Sequence, residues 1–245
     1  AAISLFCIIG GAVYYFLESK AEKKYVLGAA EETEKFVFQD LFRFNRSFWY
    51  ITALCVTFYS AIFPFRSFAI KFFIEYGGLE RGDAGSLNSI LPLSAMIVTP
   101  LFGLLVDKIG KRSLLMMVGS LFIIPVYLMM VYSNTSLYVP IALMGVAFSL
   151  IPAVMWPAVA YIVEEKRLGT AYALMTLIQQ IGVAAFNWII GFANDSAQAS
   201  AANPEGYRLG MWIFSILGFF GLFFAFMLRH SDLKYGGGKL EKAAL

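Results

Sequence analysis

Long runs without Asp, Glu, Lys or Arg alternate with short charged segments along this chain. The runs are 1–17, 47–65, 84–106, 113–163, 168–194 and 209–228. A helix crosses the roughly 30 Å of bilayer hydrocarbon with about 20 apolar residues. The run 113–163 would make a helix of about 76 Å at ~1.5 Å per residue, too long for one crossing. Ser133-Asn134-Thr135-Ser136 in its middle has turn chemistry and divides it into helices over 113–132 and 137–163. Six full spans are therefore predicted after residue 46, preceded by an apolar piece, 1–17. None of the runs shows the apolar–polar alternation of a membrane barrel. The predicted fold class is all-α, a polytopic membrane helical bundle.

The ends of this pattern carry information too. The piece 1–17 opens inside apolar sequence, without a starter Met, a basic leading segment or a cleavage site, so it does not read as a signal peptide. It is expected to be the end of a span of a longer protein. Segment 18–45 mixes charges at Glu18, Lys20, Glu22, Lys23, Lys24, Glu31, Glu32, Glu34 and Lys35, then spaces Phe36, Phe38, Leu41 and Phe42. It reads either as a helix lying on the membrane surface or as a solvated linker with one apolar end.

Composition narrows the function classes. The chain is 60% hydrophobic and 14% charged, with 24 Phe in 245 residues. That excludes a soluble enzyme, a disordered tail and a nucleic-acid binder. Two cysteines, Cys7 and Cys55, form no disulfide framework or metal pattern, and the one histidine, His230, lies in a polar tail. No metal or other cofactor is expected, and no enzymatic activity. Placing 18–46, 107–112, 164–167 and 229–245 on one side gathers 15 of the 19 Lys and Arg there. The positive-inside rule makes that side cytoplasmic.

Between two spans lies Gly103-Leu104-Leu105-Val106-Asp107-Lys108-Ile109-Gly110-Lys111-Arg112. A generic basic loop accounts for Lys108, Lys111 and Arg112. It does not account for an acid at the helix end or for two glycines. Gly103 is small enough for close helix approach, and Gly110 permits a tight turn at positive φ. Asp107 is suited to a neighbouring helix N-terminus, and Arg112 is able to pair with it through a fork of hydrogen bonds. This conformational-gate motif resembles the loop signature of the major facilitator superfamily at every fixed position. The resemblance covers nearly the whole chain. It implies the end of a sixth span (1–17), a cytoplasmic linker between halves (18–45), spans seven to twelve (46–228) and a cytoplasmic tail (229–245). Phe63-Pro64-Phe65, Phe102 to Lys108, Trp156-Pro157 and Leu168-Gly169-Thr170-Ala171-Tyr172 are similar to a branch whose animal members export dipeptides from lysosomes with a glycosylated accessory membrane protein. Microbial relatives would sit in the plasma membrane. Arg66 and Lys71 depart from that branch.

The family's fold implies that spans seven, eight, ten and eleven line a cavity while nine and twelve support it. Polar residues follow that division, being dense in spans seven, eight and eleven and sparse in nine and twelve. Candidate substrate-cavity residues are Tyr59, Arg66, Asn88, Trp156, Gln179, Gln180 and Asn187. Each has a structural alternative. Tyr59 is equally suited to packing, and Trp156, able to gate the cytoplasmic side or stack on substrate, is better suited to packing. Asn88 is suited to an outer gate, a cap or an interhelical bond. Gln179 and Gln180 are ~100° apart on a helix, so only one points fully into a cavity. Arg66 is the one basic residue inside an apolar run. It either binds a substrate carboxylate or reaches along its stem to the outer surface. Asn134 and Asn194 begin glycosylation sequons, both too close to the membrane to expect much modification.

The leading expectation is the C-terminal half of a secondary transporter moving a small solute, dipeptides or organic anions, through a site between two halves. Its partners would be the solute, the lipid bilayer, the N-terminal half of the same transporter and the accessory protein, with no nucleic acid. The alternative is a non-transporting receptor or scaffold of the same fold.

Overall fold

The computed structural model describes residues 2–24 and 44–243. Residues 1–35 form one unit and 36–245 another. The first contains helix α1 (Ala2–Lys24), which continues past the apolar run into the charged segment. Tyr14 donates to Glu18 one turn later, at 3.1 Å. Most of the linker, including Phe36, Phe38, Leu41 and Phe42, lies outside the described residues.

The second unit is a bundle of six helices: α2 (Arg46–Glu75), α3 (Arg81–Ile109), α4 (Arg112–Tyr132), α5 (Tyr138–Ile162), α6 (Leu168–Ser196) and α7 (Tyr207–Tyr235). All six are long and apolar enough to cross a membrane. The break at 133–137 falls where the turn residues place it, and Ser133 bonds back to the Met129 carbonyl at 2.7 Å. Helix α2 outruns its charge-free stretch by ten residues, carrying Arg66 and Lys71 within it. A helical backbone satisfies its own polar groups whatever the side chains, so a charge need not end the helix.

Proline chemistry and polar side chains knit the helices together. Pro64 cannot donate to the Ser60 carbonyl. In the same turn the Ala61 carbonyl accepts from Tyr127 of α4 at 2.6 Å. Ser215 of α7 donates to the Ile124 carbonyl, beside Pro125, at 2.8 Å. Tyr127 and Phe214 stack 5.0 Å apart, and Phe65 meets both edge-on. Ser215 is thus spent on a helix–helix contact, while Ser113 bonds Glu241 beyond α7 and the Ser120 hydroxyl has no partner among the described residues. Ser113, Ser120 and Ser215 are all buried.

The packing has an internal symmetry. The main contacts are α4 with α7, α2 with α7 and α6, and α5 with α3 and α4. Exchanging α2 with α5, α3 with α6 and α4 with α7 maps this set onto itself. Each group holds three helices, an odd number, so the second group runs opposite to the first. This is an inverted repeat. Helices α3 and α6, equivalent under the exchange, share another property. Only 11% and 17% of their apolar windows are buried, against 44–67% in the other four.

Candidate functional site

Two regions concentrate the candidate residues, one along α2 and α5, the other at the end of the bundle that holds the motif loop. The first is an aromatic column. Positions 59, 63 and 66 share a face of α2 by helical spacing. Tyr59 stacks on Phe63 at 5.4 Å. The Trp156 indole of α5 donates to the Tyr59 hydroxyl at 2.9 Å. Tyr172 of α6 donates to the Trp156 carbonyl at 3.0 Å. Phe148 of α5 meets Phe63 edge-on. Three helices are joined through these rings, although α2 and α5 make few backbone approaches. At the far end, the Arg66 guanidinium lies 5.9 Å from the Phe63 ring centre. Its Nε is buried without a hydrogen-bond partner.

The two glutamines separate cleanly. Gln179 is buried and accepts from the Cys55 thiol at 3.5 Å, tying α6 to α2. Gln180 is exposed on α6 with Thr176 one turn away. Asn187 donates to its own helix, at the Val183 carbonyl. Asn88 on α3 is half-buried with no hydrogen bond among the described residues. Pro92, four residues on, also leaves the Asn88 carbonyl without its helical donor. Of the sequons, Asn134 is exposed, whereas the Asn194 Oδ1 is buried in α6 against Gly210.

The second region is built around the motif loop. Gly110 has φ +63°, the positive value anticipated for it, and Lys111 follows at φ +50°. Arg112 is 1% exposed. It donates to the Lys242 carbonyl at 2.7 Å and to the Tyr161 hydroxyl at 3.0 Å, and stacks over the Tyr161 ring at 4.2 Å. The expected fork onto Asp107 is not formed. The nearest approach is a single contact of 3.6 Å, and Asp107 is 66% exposed. The reason is local. Residues after α7 fold back over the loop, offering Arg112 a fixed carbonyl inside the protein, where an exposed carboxylate offers less.

The segment after α7 is held by several bonds of its own. Leu240 is fully buried and its amide donates to Asp232 at 3.1 Å. Glu241 accepts from Ser113, its carbonyl takes the Lys111 amide at 3.2 Å, and its carboxylate is 3.8 Å from Arg229. A Cβ at Gly103, by contrast, would meet nothing within 4 Å among the described residues. The close approach anticipated for it is absent among the described residues. Tyr161, Tyr172, Cys55 and Glu241 join the candidate residues only in the folded chain. The signal for the two tyrosines is a phenol set within a turn of a charged loop. The cysteine and the tail glutamate have none.

Two concavities, of about 510 and 320 Å³, lie at opposite ends of the bundle. One is bounded by Asn45, Ser47 and Ser231, the other by Tyr76 and the 133–138 turn, and neither contains a candidate cavity residue. At the latter, burial pushes the Tyr76 phenol pKa upward, and its hydroxyl donates to the Val131 carbonyl at 2.7 Å.

The family profile described as Major Facilitator Superfamily matches residues 1–186 and, in a second placement, 67–244. The chain belongs to the major facilitator superfamily. Among curated relatives in it, the lysosomal dipeptide transporter MFSD1 of Gallus gallus is 30% identical over 244 residues, covering 97% of this chain and 53% of the relative. The same-named proteins of Danio rerio and Homo sapiens are 33% and 31% identical over 191 and 194 residues. These cover 78% and 79% of this chain and 41% of each relative. The chain spans about half the length of the curated relatives it matches. Superfamily membership and six apolar helices make it an integral membrane protein.

Proposed function

We propose that this chain is the C-terminal half of a secondary transporter that moves dipeptides by alternating access. In this reading residues 1–17 end a sixth span, 18–45 link the halves on the cytoplasmic side, 46–228 hold spans seven to twelve and 229–245 are a cytoplasmic tail. The N-terminal half is the principal partner. Lysosomal residence and a glycosylated accessory protein follow if the chain is animal-like, and the plasma membrane if it is microbial.

One observation carries the reading. In a chain half the length of its transporter relatives, the two symmetry-related helices α3 and α6 are the least covered. Leu93, Met96 and Leu104 of α3, and Leu177, Trp188 and Phe192 of α6, are 53–73% exposed. Their helices pack on α2 and α5, which carry Tyr59 and Trp156. A second half seated on α3 and α6 would close a cavity over the aromatic column. Tyr59, Trp156, Gln180 and Asn88 then face the solute, with Arg66 at the outer end, while Gln179 and Asn187 hold the wall. Asp107, exposed at the motif loop, is the group left to meet the other half. No Asp or Glu occurs between the ends of these spans, so proton coupling through this half is not expected.

The test is uptake by liposomes reconstituted with the full-length protein and, separately, with residues 1–245. Saturable dipeptide flux by the former and none by the latter is expected. Flux by residues 1–245 alone overturns the two-half reading. Absence of dipeptide flux by the full-length protein overturns the substrate.

A further inference from the structure

Arg66 is the one cation within the aromatic column, and no acid answers it among the described residues. The nearest carboxylate on its own helix, Glu75, accepts from the Tyr207 hydroxyl instead. Lys71 lies further along the same helix, near its end. The guanidinium does not extend toward that end. It lies over Phe63, three residues closer to the middle of α2, and Phe63 stacks on Tyr59. A side chain reaching for water would point the other way, because Arg66 is nine residues, about 13 Å, short of the helix end. The Nε atoms of Arg112 and Arg208 are buried without partners too, but their terminal nitrogens bond or pair within the chain. Arg66 makes no hydrogen bond or ion pair among the described residues, a costly arrangement for a desolvated donor. It suits a group that gains its partner from a ligand.

We propose that Arg66 is the anchor for the free carboxylate of the transported solute, with the solute's apolar portion over Phe63 and Tyr59. The proposal rests on the dipeptide reading and specifies which end of the peptide is recognised. Along α2, Tyr59 and Arg66 are separated by a rise of about 10 Å. An extended dipeptide spans about 7 Å. With the Arg66 side chain folded back, a carboxylate forked on its guanidinium places the amino end near the Tyr59–Trp156 pair. A planar guanidinium matches a carboxylate through two parallel hydrogen bonds and has no such match in an amide.

The experiment uses the full-length protein in liposomes and compares each dipeptide with its C-terminal amide as a competitor of labelled dipeptide uptake. For the unsubstituted protein, the acid is expected to compete at least about tenfold better than the amide, in line with a site that loses a charge-assisted bond. Arg66→Gln is expected to bring acid and amide to within about twofold of each other, and Arg66→Lys to retain an intermediate preference. The ratio is internal to each variant, so a lower yield of folded protein does not alter it. Equal competition by acid and amide in the unsubstituted protein, or an unchanged ratio in Arg66→Gln, overturns the anchor while leaving dipeptide transport standing. Absence of dipeptide uptake in the unsubstituted protein overturns the functional reading and the anchor together.

Discussion

Arg112 and Arg66 are both arginines on apolar helices, and their surroundings differ in kind. Arg112 at the motif loop reaches two oxygens and an aromatic ring, all supplied by this chain, and leaves only its Nε without a partner. Arg66 on α2 reaches only the face of Phe63. Around Arg112, Ser113, Lys111, Glu241, Asp232 and Leu240 all find partners within the same cluster. Asn88, half-buried like Arg66, has neither a side-chain bond nor a helical donor for its carbonyl. Satisfied groups fix a geometry, whereas unsatisfied groups wait for something to complete them. The difference separates a part of the bundle that is self-sufficient from a part whose polar groups have no partner among the described residues.

The largest effect that would break this contrast is at Arg112. Arg112→Ala strips the donors from the Lys242 carbonyl and the Tyr161 hydroxyl and leaves a cavity under the tail. Its stability cost is expected to be about 3 kcal/mol, as for removing one member of a buried, charge-assisted set. Thermal unfolding of the purified full-length protein in detergent measures it, and a melting temperature within error of the unsubstituted protein breaks the contrast. Arg112→Lys keeps one donor and the charge, and is expected to fall between.

Gly110→Ala is expected to act at the same place but less strongly. An L side chain at φ +63° costs roughly 1–2 kcal/mol. The added Cβ also falls on the backbone of Lys242. The tail must then move, loosening the contacts of Leu240, Glu241 and Lys242. Proteolysis at Lys239 or Lys242 is therefore expected to quicken before the bundle loses stability, and limited digestion followed by mass spectrometry reports it. An unchanged digestion rate would show that the tail does not depend on the glycine.

Much of this was legible in the residues. Charge-free runs located all six long helices, and Ser133 to Ser136 located the break between α4 and α5. The glycine at positive φ was readable because only a few residue types tolerate that backbone. Three things were not readable, each for a physical reason. The partner of Arg112 is a main-chain carbonyl, and carbonyls carry no side-chain signature. The tail docks through one leucine and one glutamate after three glycines, a composition that equally describes a loose end. The choice between Gln179 and Gln180 depends on helix phase, and α6 turned Gln179 toward Cys55 rather than toward open space. The candidate residues along α2 were legible as residue types, and the column joining them emerged only from the rings' mutual geometry.

The smallest expected effect on stability is also the sharpest probe of the contrast. Asn88→Ala removes a side chain with no hydrogen-bond partner among the described residues, so the folded protein loses no bond. The change in stability is expected to stay within about 0.5 kcal/mol, as for substitutions away from packed or bonded features. Transport should respond differently. If Asn88 faces the solute or the opposite half, it gains its bond only in the assembled, loaded protein. The expected outcome is therefore a dipeptide uptake rate reduced several-fold at an unchanged melting temperature. Arg112→Ala should show the opposite order, with stability lost first. A variant at Asn88 that melts early and transports normally when folded would place that residue among the structural bonds, and the first half of α3 would then belong with the motif loop rather than with Arg66.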